Sequence, residues 1–477
     1  MLTEIKGLNE ECGLFGIWNH DNAAHITYYG LQSLQHRGQE GAGIVINDGN
    51  KLIVKKGEGL VTEVFSKQVI DEMPGHKGIG HVRYTVNGDR SFENIQPLLF
   101  HSHTGNLALA LNGSIINAGR MRALLEAQGS IFQTTSDTEL LAHLIKRSKH
   151  PNFISKVKAA LNSLIGAYAF LIMTDNELMA ALDPNGIHPL SIGKLGESYV
   201  ITSETCAFDI IGAEFIRDVE PGELIIINDE GIHSEMFAPK EKMALCAMEY
   251  VYFARPDSNL RSLNVHTARK NLGKQLAIEA PIQADVITGV PDSRLSAAIS
   301  YVQQSGIPYE LGLIKNRYVG RTFIQPTQQL REQGVKMKLS AVRGVVEGKR
   351  VIMVDDSIVR GTTSKRIVKL LKDVGAKEVH VVISSPPIEH PCFYGVDTTS
   401  KDDLIASGRT VEEIREIIGA DSLTFLSEEG MLKALKQDDS SKLEGACLAC
   451  FTGEYPTEIN IEEPTVATTI NKVYRIY

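Results

Sequence analysis

The sequence predicts a two-domain α/β protein, an N-terminal αββα sandwich of antiparallel sheets followed by a C-terminal domain built on a parallel sheet. Length is the first reason: 477 residues exceed what one hydrophobic core usually organises. The second is a set of apolar strands in the first half, at residues 167–173, 178–182 and 224–227, which suit stacked antiparallel sheets. The third is strand-helix alternation in the second half. Val286-Ile287-Thr288-Gly289 precedes a helix through Ala297, Ala298 and Tyr301. The run from Val351 to Val354 precedes a helix through Ile367, Val368, Leu370 and Leu371. The polar stretch Phe237-Ala238-Pro239-Lys240-Glu241-Lys242 is the expected linker, dividing residues 12–235 from 236–477.

Composition narrows the function classes. With 43% hydrophobic and 22% charged residues the chain has the make-up of a soluble globular protein. No apolar run approaches the ~20 residues of a membrane span, and the first residues lack the apolar core of a secretory signal. A cytoplasmic protein with no membrane partner is expected. The net charge of −9 opposes a general nucleic-acid binder. Six cysteines in so long a chain do not make a disulfide scaffold, which leaves catalysis, metal binding or burial.

Taken in order, Cys12 begins the strand-like Cys12-Gly13-Leu14-Phe15-Gly16-Ile17-Trp18, and alone would read as a small buried hydrophobe. Helically spaced Ile26, Tyr29 and Leu34 lead into Gln35-His36-Arg37-Gly38-Gln39-Glu40-Gly41. Gly80-His81-Val82-Arg83-Tyr84 and Ala108-Leu109-Ala110-Leu111-Asn112-Gly113 follow. Ser136-Asp137-Thr138-Glu139 then reads as the cap of a helix through Leu140, Leu141 and Leu144. Together these motifs resemble the class II glutamine amidotransferase domain, an N-terminal nucleophile hydrolase, over about residues 12–235. The resemblance implies removal of residues 1–11 as a propeptide, leaving Cys12 with a thiol and a free α-amino group whose ordinary pKa of about 7.7 to 8.0 suits a general base. It further implies an oxyanion hole from Asn112 and the Gly113 N–H, with Arg83 binding the α-carboxylate of glutamine and Asp137 its α-amino group. Cys206 has no partner spacing and is expected in the core.

In the second domain the turn Val290-Pro291-Asp292-Ser293-Arg294 follows a strand. Between residues 315 and 343, Lys315, Arg317, Arg321, Arg331, Lys336, Lys338 and Arg343 face a single acid, Glu332, a local charge excess suited to a polyanionic ligand. The run Val351-Ile352-Met353-Val354-Asp355-Asp356-Ser357-Ile358-Val359-Arg360-Gly361-Thr362-Thr363 places two acids at a strand end and a glycine with hydroxyls at a helix start. Helix-start amides and hydroxyls can surround a phosphate, and the acids can accept from a sugar diol. No Walker lysine is present.

This last run resembles the phosphoribosylpyrophosphate (PRPP) motif of type I phosphoribosyltransferases, which implies PRPP contacts from Asp355, Asp356, Ser357, Arg360, Gly361, Thr362 and Thr363. It also implies Mg²⁺ near Ser293, Asp355 and Asp356, and a lid carrying Lys315 and Arg321. Arg294 is less usual in the pyrophosphate loop. Four cysteines, Cys246, Cys392, Cys447 and Cys450, suit zinc or an iron-sulfur cluster by count alone. Their surroundings resemble members in which the four hold a [4Fe-4S] cluster.

Nearly the whole chain is similar to the glutamine PRPP amidotransferase family, which opens de novo purine synthesis. That implies conversion of PRPP, glutamine and water to 5-phosphoribosylamine, glutamate and pyrophosphate. It also implies inhibition by purine nucleotides (AMP, GMP, ADP, GDP) and a homotetramer. Three departures stand in the first domain: Leu111 where histidine is common, Thr85-Val86-Asn87-Gly88 in place of a small-residue run, and His188 where arginine is usual. They raise the alternative of an ammonia-dependent synthase with an impaired glutaminase. A sugar-phosphate isomerase partner domain is opposed by the PRPP motif, and a PRPP-sensing DNA-binding regulator by the glutaminase domain and the negative charge.

Overall fold

The computed structural model describes residues 12–84, 91–291, 294–316, 339–396, 398, 400–436 and 445–459. Expectations for residues 1–11, Thr85-Val86-Asn87-Gly88, Ser293, Arg317 and Arg321 therefore lie outside the described residues.

The first domain is two stacked antiparallel sheets. One contains β1 (Gly13–Trp18), β2 (Gly41–Asn47), β3 (Leu52–Glu58) and β4 (Lys77–Arg83), together with β9 (Ser191–Leu195), β10 (Ser198–Thr202) and β11 (Glu214–Asp218). Its order is β11-β9-β10-β1-β4-β2-β3. The other contains β5 (Leu98–Phe100), β6 (Leu107–Ile115), β7 (Gly166–Met173), β8 (Leu178–Leu182), β12 (Glu223–Asn228) and β13 (Gly231–Met236), in the order β13-β12-β8-β7-β6-β5. Period-2 alternation sorts the side chains between layers. From β7, Ala169, Leu171 and Met173 enter the core between the sheets with Leu14, Trp18 and Ile79. Tyr168, Phe170 and Ile172 face the other way, onto helices Thr138–Arg147 and Phe153–Asn162. Helix Ala23–Ser33 covers the outer face of the first sheet with Ala23, Ala24 and Leu31. The αββα order is the one predicted.

Two local expectations are corrected. Tyr29 is exposed, because the helix 23–33 seats its small residues on the sheet: a Cβ at Gly30 would run into the Phe15 ring. Asp137 does not cap the helix that starts at Thr138; its Oδ2 instead accepts from the Ile115 N–H at 3.0 Å, and Ser136 Oγ takes the Thr138 N–H.

In the second domain β17 (Val286–Gly289), β20 (Arg350–Asp355), β21 (Glu378–Ile383) and β22 (Ser422–Phe425) form a parallel sheet in the order β17-β20-β21-β22. Both faces are covered, as apolar runs without alternation require. Val351, Met353 and Val381 pack with Ile367, Val368 and Leu371 of helix Thr362–Asp373. Ile352, Val354 and Val382 pack with Leu272, Leu276, Ala297 and Tyr301 of helices Val265–Glu279 and Leu295–Ser305. Short pairs complete the domain: β14 (Leu245–Cys246) with β23 (Ala446–Cys447), β15 (Asn259–Leu260) with β16 (Leu263–Asn264), and β18 (Leu313–Lys315) with β19 (Leu339–Ala341). Among the described residues no helix is long and apolar enough to cross a membrane.

The stretch expected as a linker is tied down along its length. Phe237 and Ala238 join the core under helices 138–147 and 153–162, while the Glu241 and Ala244 N–H groups donate to Pro184 and Asn185. The chain after Gly453 also docks: Tyr455 Oη donates to the Pro391 carbonyl at 2.7 Å.

His81 lies in β4 with no exposed surface, and its Nε2 meets the Leu111 carbonyl at 3.1 Å across the sheets. Burial drives its pKa from 6.5 down to about 3, with the Leu111 contact opposing and Arg83 adding to the fall. Folded protein therefore keeps the ring neutral where the unfolded chain protonates it. The contribution is whole above pH 6.5 and is lost as pH falls toward 3. At about 1.4 kcal/mol per pH unit, wild type should lose ~2 kcal/mol more than His81→Gln between pH 7.5 and 5, as read from denaturant unfolding at the two pH values.

Candidate active sites

The candidate residues of the first site lie just before β1 (Cys12), at the end of β4 (Arg83) and within β6 (Asn112 and Gly113). Cys12, half-buried, places its Sγ 3.5 Å from both the N and the O of Tyr84. Its carbonyl accepts from Arg37 Nε at 3.1 Å. Asn112, 1% exposed, has neither amide atom hydrogen-bonded among the described residues, an orphaned pair that a bound polar group would satisfy. Gly113 has φ +127°, and a Cβ there would strike the Ala167 carbonyl and come within 2.9 Å of His188 Nε2. Only glycine fits.

Arg83 and Asp137 belong to two segments stitched together. Arg83 Nη1 donates to the Ser91 carbonyl at 3.0 Å, and Asn94 ties Ser91 to Thr135 through bonds of 2.9, 2.6 and 3.0 Å. Burial raises the Asp137 carboxyl above its ordinary pKa, against the pull of the Ile115 N–H and Arg122. Leu111 buries its side chain in the apolar layer. Its N–H donates to Gln96 Oε1 at 2.7 Å and its carbonyl faces His81, holding the strand before Asn112 by the main chain. His188 Nε2 meets the Tyr394 carbonyl at 2.9 Å, joining this site to the second domain. Cys206 is fully buried, as expected of a core residue.

The sequence reading missed the residues behind Cys12. Arg37 bonds Glu204 at 2.6 Å and Glu249 at 2.6 and 2.9 Å, with no side-chain exposure for any of the three. Glu204 also takes His36 at 2.7 Å, Ser258 Oγ at 2.7 Å and the Arg255 N–H at 2.9 Å. Although burial opposes ionisation, the charges of His36 and Arg37 hold its carboxyl well below the usual range. The signal was the run of polar residues 35–37 before Gly38, whose Cβ would meet the Arg83 backbone at 2.5 Å.

The second site lies at the carboxyl ends of β17 and β20, where open parallel sheets bind ligands. Asp355 and Asp356 are 2% and 3% exposed. Burial pushes Asp355 up to about 6, with Arg294 opposing and Asp356 adding. Gly361 turns the chain at φ +71°, and a Cβ there would hit Ile405. The helix Thr362–Asp373 that follows offers first-turn amides without intrahelical acceptors. Thr363 Oγ1 is buried with no partner among the described residues. Ser357 Oγ donates to Asp356 at 3.1 Å, and Arg360 pairs with Asp403 at 2.9 Å. Lys315 ends β18, exposed. An orphaned hydroxyl beside open amides suits an anion, and the acidic pair suits a diol or a divalent cation.

The four cysteines converge on one cavity. β14 and β23 pair Cys246 with Cys447, and these two, Cys392 and Cys450 line the space with Ile187, Met248, Ile388 and other apolar groups. Burial, with Cys392 and Cys447 beside it, pushes the Cys450 thiol up. Among the described residues no three His, Cys, Asp or Glu side chains gather as they would on a single ion; the thiols ring a space instead. Four thiols lining one apolar cavity are donors of the soft class.

Comparison with known proteins identifies both domains. Residues 81–209 match the glutamine amidotransferase domain family and residues 264–390 the phosphoribosyl transferase domain family. An amidophosphoribosyltransferase of Bacillus subtilis strain 168 is 65% identical over 462 residues, 96% of this chain and 97% of that protein. One of Staphylococcus aureus strain MRSA252 is 52% identical over 457 residues, 95% of this chain and 92% of that one. The solved glutamine PRPP amidotransferase from B. subtilis, complexed with ADP and GMP, superposes with a TM-score of 0.89 at 64% identity, over 94% of this chain and 98% of that one. With both domains in this order and identity this high along nearly the full length, the chain belongs to the amidophosphoribosyltransferase family.

Proposed function

We propose that the chain converts PRPP, glutamine and water to 5-phosphoribosylamine, glutamate and pyrophosphate as the first step of purine synthesis, in the cytoplasm and as a homotetramer. The observation that carries this reading is one chain holding Cys12 against the Tyr84 backbone, a buried Asn112 amide with no partner among the described residues, and an acidic strand end before an open helix start. We take residues 12–235 as the glutaminase domain and 236–477 as the phosphoribosyltransferase domain.

In the first half-reaction the Cys12 thiol attacks the glutamine amide, its own α-amino group taking the proton once residues 1–11 are removed. Arg37 orients the nucleophile by holding the Cys12 carbonyl. Asn112 Nδ2 and the Gly113 N–H stabilise the oxyanion, Arg83 and Asp137 bind the amino-acid end of the substrate, and water then releases glutamate from the thioester. Ammonia passes to the second site and attacks C1 of PRPP. There Asp355 and Asp356 accept from the ribose diol, while Ser357, Arg360, Gly361, Thr362 and Thr363 surround the 5-phosphate. Lys315 and Arg321 belong to the lid. Ser293, Asp355 and Asp356 would hold Mg²⁺, which when bound would supply charge stabilisation for the leaving pyrophosphate. Cys246, Cys392, Cys447 and Cys450 would hold a [4Fe-4S] cluster, whose role would be structural, since no step transfers electrons. Purine nucleotides such as the ADP and GMP found with the B. subtilis relative, and AMP and GDP by the same chemistry, compete at the PRPP site and beside it. Glutamine rather than ammonia alone is the nitrogen source, because His81 and Gln96 support the strand before Asn112 without the usual histidine.

Purified protein should begin at Cys12 by intact mass and release glutamate only with PRPP present. Cys12→Ala should lose glutamine use and keep synthesis from ammonium chloride; loss of both would place Cys12 in the fold rather than the chemistry.

Asp355→Asn removes a charged acceptor, so PRPP should bind roughly 10- to 150-fold more weakly by calorimetry.

Anaerobically prepared protein should carry iron and sulfide, and Cys392→Ala should lose both along with thermal stability. Zinc in their place, by metal analysis, would refute the cluster.

A further inference from the structure

Arg294 follows the turn after β17, at the start of helix Leu295–Ser305, and its side chain reaches across to the end of β20. One nitrogen, Nε, lies 2.7 Å from Asp355 Oδ1 and 2.7 Å from Asp356 Oδ2. Nη2 stands 3.4 Å from Asp356 Oδ1. The guanidinium carbon sits 5.6 Å from the centre of the Tyr252 ring, so an aromatic face backs the cation. The Arg294 side chain is 16% exposed and the two carboxylates 3% and 4%, which removes most of the water that would screen the pair.

A sugar diol or a divalent cation needs the same carboxylate lone pairs that now accept from this guanidinium. A diol or dication at the pair therefore competes with the guanidinium for those oxygens. We propose that Arg294 is a built-in competitor for the acidic pair, occupying the diol and cation position of the PRPP site until PRPP and Mg²⁺ displace it. The inference rests on the reading of Asp355 and Asp356 as the diol and metal contacts. The chain carries the competing charge on a long side chain at a helix start, where rotation about side-chain bonds alone withdraws it. Once withdrawn, the planar cation remains near the ligand, free to pair with a phosphate. The competition therefore weighs most on a ligand with the diol and no diphosphate.

The test is calorimetry on the full-length protein with ribose 5-phosphate and with PRPP, at saturating Mg²⁺, for wild type, Arg294→Gln, Arg294→Ser and Arg294→Lys. The neutral variants should bind ribose 5-phosphate roughly tenfold more tightly than wild type, and gain less for PRPP; the lysine variant should stay near wild type. Serine guards against a misplaced glutamine, and circular dichroism melts check that each variant is folded. Unchanged or weaker ribose 5-phosphate binding in both neutral variants, with wild type still binding PRPP, would overturn the competitor and leave the site assignment standing. No PRPP binding in wild type or any variant would overturn both.

Discussion

Arg37 has no side chain surface in contact with solvent, yet it carries a full charge between Glu204 and Glu249 and spends its remaining nitrogen on the Cys12 carbonyl. Burying three ionised groups is costly unless geometry and hydrogen bonds offset the loss of water. Here they do: each carboxylate meets the guanidinium at 2.6 Å, and Glu204 fills its other positions with His36, Ser258 and the Arg255 N–H. The partners come from both domains. An interaction of this kind is intolerant of partial assembly, because withdrawing any one member strands a charge in the interior. The Cys12 carbonyl thus rests on a cation that is satisfied only when the second domain is docked.

The docking segment is itself unusual. Glu249 opens a π-helical turn, Glu249–Phe253, whose wider winding leaves carbonyls without the ordinary helical donors. Buried Arg269 collects two of them, from Tyr250 and Tyr252, together with the Ala254 carbonyl just past the turn, at 2.8 to 3.0 Å. Tyr252 on the same turn lies beneath the Arg294 guanidinium. One five-residue turn therefore touches the support of Cys12 at its first residue and the acidic pair of the second site, through Arg294, three residues later.

What the sequence disclosed and what it withheld follow from the range of the interactions. Strand periodicity in residues 167–173 and the uninterrupted apolar run before Asp355 are local, and both described their layers correctly. So was the acidic pair with its glycine turn. The pairing of Arg294 with that pair joins residues about sixty positions apart, and no local pattern announces it. The same holds for Glu249 with Arg37 and for Asn94 with Thr135. Asp137 shows a subtler limit. A Ser-Asp-Thr-Glu run reads as a helix cap, and Ser136 does take the first-turn amide, but the aspartate is claimed by an amide from β6 that only the tertiary fold brings near. For Leu111 the side chain was legible as apolar, but the main-chain contacts to Gln96 and His81 were not, because they join residues 15 and 30 positions away.

β6 sets Leu107, Leu109 and Leu111 against the helices and Ala108 and Ala110 between the sheets. Asn112 continues the second series, so the strand's parity alone aims its amide. Side chains in a strand change face with every residue, and a slip of one inverts the whole set. Inserting or deleting a single residue between Leu107 and Asn112 would turn leucines toward the site and the amide toward the helices. The exposed turn at 101–106, which precedes the strand, carries no such constraint. Over evolutionary time, related chains should vary in length at that turn and keep the spacing from Leu107 to Gly113 fixed, whatever substitutions the apolar positions accept.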